Sequence, residues 1–149
     1  MEGPHTARAT HRWHLEEGAP APLGASWDEY AQSYNFALYS RHATGVTLLL
    51  WSADNLVTPC YKLVFDHFRN KSGYVWHCRV TLDQAAGALY YAYRVDGPHE
   101  PRLGHRFNQQ KLLLDPYAPA VFFPPNYSRI AAARPGPNDG MAPLGVLPP

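Results

Sequence analysis

Residues 73–98 read GYVWHCRVTLDQAAGALYYAYRVDGP, and this stretch decides the fold class. Large apolar side chains occupy every second position in both of its halves: Tyr74, Trp76, Cys78 and Val80 in the first, and Leu89, Tyr91, Tyr93 and Val95 in the second. A period of two is typical of β-strands with one buried face. The stretch therefore predicts two strands, which are joined by a short helical turn over residues 81–88 and ended by Asp96-Gly97-Pro98.

The same pattern continues towards both ends of the chain. Residues 33–39 and 61–65 alternate, residues 46–51 form an almost wholly apolar run, and residues 111–115 offer a sixth strand before Pro116. Turn residues separate these segments at regular spacing, which is typical of an antiparallel β-sandwich. We therefore predict an all-β protein.

The two ends of the chain differ in composition from this central part. Residues 1–20 mix charged residues, His, Gly and Pro without periodicity, which predicts a flexible extension. Prolines recur after Pro119, which favours a stiff, extended linker or tail. The predicted organisation is an extension over 1–20, a β-sandwich domain over 21–120 and a proline-rich tail over 121–149.

Length and charge exclude several classes of protein. The chain has 149 residues, whereas a (β/α)₈ barrel needs about 250. A formal net charge of +1 argues against an electrostatic nucleic-acid binder. No apolar run approaches the ~18 residues of a membrane span, and the amino terminus has no apolar signal-peptide core. We expect no nucleic-acid or membrane partner, and a cytoplasmic location (or a plastid, if the source is a plant or alga).

The residues that usually perform catalysis form no recognisable pattern here. Glycoside hydrolysis needs two opposed carboxylates, but five aspartates fall in or next to turns, where such side chains normally hold the backbone: Asp28, Asp66, Asp83, Asp96 and Asp115. We predict no catalytic residue, no metal site and no cofactor.

The two cysteines are expected to be free thiols. If residues 61–65 and 74–80 form a hairpin, alternation points Cys60 and Cys78 to opposite faces. A disulfide needs converging side chains. We therefore expect Cys78 to be a small core residue.

Aromatic residues are the remaining candidates for ligand binding, because flat rings bind the C–H face of a sugar. The strand positions of Trp51, Trp76, Tyr90 and Tyr39 are compatible with three roles: core, protein interface or glycan platform. Trp51, Trp76 and Arg94 are the candidate glycan-binding residues.

Several motifs resemble the opening of isoamylase-type debranching enzymes. They include Pro22-Leu23-Gly24-Ala25-Ser26-Trp27, Asn35-Phe36-Ala37-Leu38-Tyr39-Ser40, Tyr91-Ala92-Tyr93-Arg94-Val95-Asp96-Gly97-Pro98, and Gly104-His105-Arg106-Phe107-Asn108 running on to Lys111-Leu112-Leu113-Leu114-Asp115-Pro116-Tyr117-Ala118. The resemblance covers about residues 21–120, in order, and the last motif is the most specific. It implies an immunoglobulin-like sandwich of the type classed among glycogen- and starch-binding modules.

The resemblance also implies a role without catalysis. The catalytic α-amylase-type barrel of the family, with its nucleophile and acid/base, has no counterpart here, so the domain is expected to brace such a barrel in cis or in trans. Glycogen-binding relatives carry a second ring after the Val-Asp-Gly turn, where this chain has Pro98-His99, so α-glucan binding is expected to be weak. The alternative is a free-standing glycan-binding or protein-interaction module.

The uniformly apolar run Leu112-Leu113-Leu114 is either a strand covered on both sides or a surface that awaits a partner. The second interpretation makes the last motif the domain interface. Its candidate interface residues are Arg106, Phe107, Asn108, Lys111, Leu113, Asp115 and Tyr117.

Overall fold

A computed structural model of the chain describes residues 17–100 and 105–149. Its regular secondary structure consists almost entirely of strands. They are β1 (Gly24–Asp28), β2 (Ser33–Tyr39), β3 (Gly45–Ser52), β4 (Tyr61–Val64), β5 (Lys71–Ser72), β6 (Val75–Thr81), β7 (Ala88–Asp96), β8 (His99–Glu100), β9 (His105–Arg106), β10 (Val121–Phe122) and β11 (Leu144–Val146), with one short helix, α1 (Arg129–Ala133).

The strands form two antiparallel sheets that face each other. The four-stranded sheet has the order β1-β2-β6-β5, and the five-stranded sheet has the order β10-β11-β7-β3-β4. Strands β8 and β9 form a separate two-stranded ribbon. The predicted all-β, immunoglobulin-like sandwich is confirmed.

The core lies between the sheets and follows the alternation in the sequence. Every second side chain of the central strands points inward and is buried, among them Phe36, Leu38, Leu48, Leu50, Trp76, Cys78, Tyr91 and Tyr93. Cys78 is buried and both cysteines are free, as predicted, and Cys60 is exposed.

The hairpin considered between residues 61–65 and 74–80 does not form. Strand β4 pairs with β3, where Leu63 lies opposite Leu48, whereas β6 lies between β2 and β5. The apolar strand β3 pairs with β7 on one edge and with β4 on the other, so β4 belongs to the opposite sheet from β6.

The predicted sixth strand over 111–115 is reduced to a single bridge. The backbone of Leu113 exchanges two hydrogen bonds with Tyr93, of 2.7 and 3.1 Å. Of residues 81–88, for which the sequence predicts a helical turn, residues 82–87 form consecutive turns, and the two end residues belong to β6 and β7.

Both ends of the described chain pack on the sandwich. Ala19 exchanges hydrogen bonds of 2.7 and 2.9 Å with the Asn35 side chain, and the carbonyl of Glu17 lies 2.6 Å from His77 Nδ1. The last four residues of the predicted extension are therefore part of the fold, and residues 1–16 lie outside the described residues.

The proline-rich segment differs from the extended tail that the sequence indicated. Strand β11 pairs with β7, and β10 continues the sheet beyond β11. Buried side chains between the prolines include Asn138, Ala142, Leu144 and Leu147. Prolines interrupt this segment, but the residues between them are apolar enough to cover one face of the five-stranded sheet.

Candidate functional site

The outer face of the five-stranded sheet holds Trp51, the first candidate for glycan binding. This ring is completely buried, and its Nε1 donates to the carbonyl of Val57 at 3.3 Å. Its cluster of buried neighbours consists of Leu49, Ala92, Leu112, Ala142 and Leu144. The prediction of Trp51 as a sugar platform is therefore wrong, because the segment after the sandwich covers the ring.

Trp76, the second candidate, points between the two sheets. It is 1% exposed and lies edge-on to Phe65, with ring centroids 6.4 Å apart. The Nζ of Lys71 lies 4.9 Å from the centroid of its ring. A ring in this position belongs to the core, so the prediction of a glycan contact at Trp76 is also wrong.

Arg94 is the only one of the three candidates that reaches the surface. Its guanidinium forms a bidentate ion pair with Asp139, with N–O distances of 2.6 and 2.8 Å, and donates to the carbonyl of Gln110. It also lines a shallow hollow of about 340 Å³ beside Lys62. Arg94 thus joins the tail to strand β7. The sequence analysis missed this interaction because Asp139 lies 45 residues away. A glycan contact at Arg94 stays a prediction.

Part of the predicted interface motif turns inward. The Asp115 carboxylate is buried, accepts from Tyr91 Oη at 2.6 Å and accepts from the Tyr117 backbone N–H at 2.9 Å. The prediction of Asp115 as an interface residue is therefore wrong. Burial and the hydrogen bond to Asp115 raise the pKa of Tyr91 well above its usual 10.0, so this phenol stays protonated at neutral pH.

Two other members of the motif also make internal contacts. The Phe107 ring packs on the core, and a Cβ at Gly97 would lie 2.8 Å from it, so only glycine fits there. Lys111 Nζ donates to the carbonyl of Ala131, within helix α1, and to the carbonyl of Arg134, which caps the helix at its C-terminal end. Cations near the carbonyl end of a helix are stabilising, and Lys111 thereby joins the motif to the tail.

The remaining described members point outward. Asn108 is exposed and its Oδ1 accepts from the Gln110 N–H within a turn. Leu113 is 44% exposed and Tyr117 is 57% exposed. The backbone of Arg106 belongs to β9, and its side chain lies outside the described residues.

Leu113 and Tyr117 begin a run of exposed apolar side chains, which we call the 113–130 surface. Its members are Leu113, Tyr117, Val121, Phe123, Tyr127 and Ile130. Phe123 and Tyr127 contact each other edge to face, with centroids 5.0 Å apart. The sequence analysis missed the last four because it treated them as parts of a linker. The signal was present in the unbroken apolar run of residues 120–123.

The aspartates near turns behave as the sequence predicts in four of five cases. Asp28, Asp66, Asp96 and Asp115 each accept a backbone N–H from a residue one to three positions further along the chain. Among residues 17–100 and 105–149, no three His, Cys, Asp or Glu side chains gather as a metal site would require. Over the same residues, no helix is long and apolar enough to cross a membrane.

Residues 22–118 match the family model described as carbohydrate-binding module 48 (isoamylase N-terminal domain). A glycogen debranching enzyme of Klebsiella pneumoniae (strain 342) is 45% identical over 112 residues, which cover 70% of this chain and 14% of that enzyme. A second glycogen debranching enzyme, from K. pneumoniae strain MGH 78578, is 44% identical over 107 residues, or 72% of this chain and 15% of the enzyme. The chain therefore spans about one seventh of the length of these curated relatives.

Solved structures agree with the fold. The Group B Streptococcus pullulanase SAP, solved in complex with maltotetraose, aligns with a TM-score of 0.58 at 15% identity over 92% of this chain and 16% of that chain. The catalytic module of the pneumococcal virulence factor SpuA, described as glycogen-degrading, aligns with the same TM-score at 13% identity over 93% of this chain and 18% of that chain. At this level of identity the likeness concerns the fold alone.

Proposed function

This chain belongs to the carbohydrate-binding module 48 (isoamylase N-terminal domain) family, and we propose that it works as a non-catalytic accessory domain of an α-1,6-glucan debranching enzyme. Its role is to brace a catalytic barrel, in cis or in trans. The relatives named glycogen debranching enzyme support this proposal, because the matched part is a small fraction of their length.

The 113–130 surface is the observation that carries the proposed contact with the barrel. Six large apolar side chains are exposed within one short stretch, and such concentrations mark association sites. The backbone of Leu113 is fixed by its pairing with Tyr93. The Asp115 side chain accepts from the Tyr117 N–H and so fixes the turn that carries Tyr117. A surface fixed in this way loses little conformational entropy on association.

Three carboxylates of the domain have structural partners, which fits a role without catalysis. Asp28 and Asp139 are paired with arginines, and Asp115 is buried against Tyr91. A retaining or inverting glycosidase needs two carboxyl groups that flank the bond to be cleaved. The partner barrel is expected to supply that pair, so this chain alone should release no reducing ends from pullulan or glycogen.

Sedimentation velocity tests the bracing role. The chain is mixed with a K. pneumoniae glycogen debranching enzyme that lacks the segment matching this chain, and a one-to-one complex is expected. The full-length enzyme is the control, because its own domain occupies the contact and no complex should form.

Two charge variants test which surface makes the contact. Leu113→Glu should weaken the complex by roughly tenfold or more, because it places a charge in an apolar contact. Val64→Glu adds the same charge at an exposed apolar position on β4 and should change nothing. Absence of the complex with the shortened enzyme, or equal weakening by both variants, would contradict the proposal.

A further inference from the structure

A serine and a histidine form a close pair at the β5 edge of the four-stranded sheet. Ser72 lies in β5 and is exposed, whereas His77 lies in β6 and is completely buried. The Oγ of Ser72 is 2.8 Å from the Nε2 of His77. A hydroxyl at hydrogen-bond distance from an imidazole nitrogen is the geometry in which histidine acts as the general base for a nucleophile.

A backbone carbonyl is the third member of this arrangement. The carbonyl oxygen of Glu17 lies 2.6 Å from His77 Nδ1, and a carbonyl can only accept a hydrogen bond. In the neutral imidazole the proton is therefore on Nδ1, and the lone pair of Nε2 accepts from the Ser72 hydroxyl. A serine nucleophile needs this tautomer, and the Glu17 carbonyl takes the orienting role that a carboxylate has in a Ser-His-Asp triad.

The segment before the sandwich positions this carbonyl. Gly18 has a φ of 77°, and a Cβ there would lie 2.5 Å from the backbone of β6, so the segment lies directly against that strand. On one side of Gly18, Ala19 exchanges two hydrogen bonds with the Asn35 side chain. On the other side, the Oε1 of Glu17 lies 3.4 Å from the Nε of Arg69. These contacts place the Glu17 carbonyl over the buried imidazole.

Backbone donors follow the serine in the turn between β5 and β6. The turn consists of Gly73, with a φ of 62°, and Tyr74. Within residues 17–100 and 105–149, the N–H groups of these two residues donate to no other group. A Cβ at Gly73 would meet no atom within 4 Å apart from its chain neighbours, so the space beside Ser72 is open. Unpaired N–H groups can stabilise the negative charge that develops on a carbonyl oxygen under attack.

We propose that Ser72 is an activated nucleophile that takes an acyl group from an activated ester, with His77 as its general base and the Glu17 carbonyl as the group that orients His77. The Oγ of Ser72 forms a bond to the carbonyl carbon of the ester while its proton passes to His77 Nε2. The bond between that carbon and the leaving oxygen then breaks, and His77 gives the proton to the leaving alcohol. The products are an acyl-serine and the free alcohol.

This reaction is separate from glycoside cleavage and does not rest on the proposed function. It needs no pair of carboxyl groups. The serine belongs to the four-stranded sheet, whereas Leu113 of the 113–130 surface pairs with β7 in the other sheet. Because Ser72 is exposed, the acyl chain and the leaving group stay in contact with water. We therefore expect small activated esters as substrates and little discrimination among them.

Covalent labelling of the full chain with a fluorophosphonate probe, mapped by peptide mass spectrometry, tests the activation of Ser72. The Oγ displaces fluoride from phosphorus, and His77 takes the proton. Ser40 is the internal comparison, because its backbone N–H donates to the Tyr74 carbonyl beside the same turn. In the described part of the chain its hydroxyl has no histidine partner. A positioned general base contributes about 10²–10⁴-fold, so Ser72 should be labelled about a hundred times faster than Ser40 or more.

Two glycine variants test the role of the Glu17 carbonyl. Gly18→Ala displaces the segment that carries this carbonyl, and it should slow the labelling of Ser72 roughly tenfold or more although neither reacting side chain changes. Gly87→Ala is the matched control. Gly87 also has a positive φ, of 81°, but a Cβ there would meet no atom within 4 Å, so the labelling rate should stay the same. Circular dichroism checks that both variants fold.

An ester arm tests acyl transfer itself. p-Nitrophenyl acetate is added to the Cys60→Ala variant, because the exposed Cys60 thiol would also be acylated. The acetyl group should appear on Ser72 and should be absent after Ser72→Ala. His77→Gln should reduce the acetylation of Ser72 to the rate of Ser40.

Three outcomes would overturn the proposal. Equal labelling of Ser72 and Ser40 would show that the hydrogen bond to His77 is structural only, and this comparison needs no variant that might fail to fold. Equal labelling rates in Gly18→Ala and Gly87→Ala would refute the role of the Glu17 carbonyl. Acetylation that avoids Ser72 would refute acyl transfer. The complex with the shortened debranching enzyme does not enter these measurements, so the proposed function can fail while this proposal stands, or the reverse.

Discussion

Two neighbouring leucines, Leu112 and Leu113, should respond very differently to the same substitution. Leu112 is 8% exposed and belongs to the cluster around Trp51, whereas Leu113 is 44% exposed on the 113–130 surface. Truncation of a buried leucine to alanine costs about 2–5 kcal/mol, which includes the cavity that it leaves. We expect Leu112→Ala to lower the free energy of unfolding by about 3 kcal/mol.

The cost at Leu113 is smaller because much of its side chain is in water in the folded state. At about 25 cal/mol per Å² of apolar surface, a half-exposed leucine loses only about 1 kcal/mol on truncation. Leu113→Glu should therefore fold and stay soluble, whereas Leu112→Glu should not fold, because its charge would be buried beside Trp51.

Equilibrium unfolding in urea, followed by circular dichroism and tryptophan fluorescence, measures both variants. Equal slopes with different midpoints would show that only stability has changed. The reasoning fails if Leu113→Glu unfolds the domain, or if Leu112→Ala costs no more than Leu113→Ala. Either result would mean that the segment packs in a different register from the one described.

Three further predictions concern the core. Tyr91→Phe should cost about 2 kcal/mol, because it leaves the buried Asp115 carboxylate with one donor fewer. Because folding raises the pKa of Tyr91, the contribution of this phenol to the free energy of unfolding is complete below pH 10 and is lost at higher pH. The urea midpoint should therefore fall above pH 10, and it should fall less steeply in Tyr91→Phe. Gly145→Ala should cost about 1–3 kcal/mol in the same urea assay, because its Cβ would lie 2.6 Å from the Tyr91 ring; an unchanged midpoint would show that the ring moves freely. Cys60 should react with a thiol reagent at once and Cys78 only on unfolding, and two fast thiols would contradict the burial of Cys78.

The central strands could be predicted from the sequence because their alternation is local information. Trp76, Cys78 and Tyr91 occupy every second position and are all buried. Alternation states which face of a strand is buried, but it does not state which edge pairs with which neighbour. Strand β4 was therefore recognised as a strand and assigned to the wrong partner.

The covered outer face of the five-stranded sheet could not be predicted, because the residues that cover it are distant in sequence. Strand β11 has only three residues, too few for a periodic signal, and it forms because β7 offers an open edge. Trp51 was a reasonable candidate for a sugar platform as long as residues 138–147 were treated as an extended linker. Once Ala142 and Leu144 pack on its face, the ring becomes core.

The two outer faces are covered by different kinds of contact, and this difference decides how firmly each covering segment is held. The five-stranded sheet is covered by apolar contacts, whose burial stabilises the fold by about 25 cal/mol per Å². The four-stranded sheet is covered by residues 17–20 mainly through hydrogen bonds to Asn35 and His77. Such bonds contribute only about 1 kcal/mol each, because water competes for the same groups. Residues 17–20 are therefore held on the four-stranded sheet less firmly than the apolar segment around Ala142 and Leu144 is held on the five-stranded sheet.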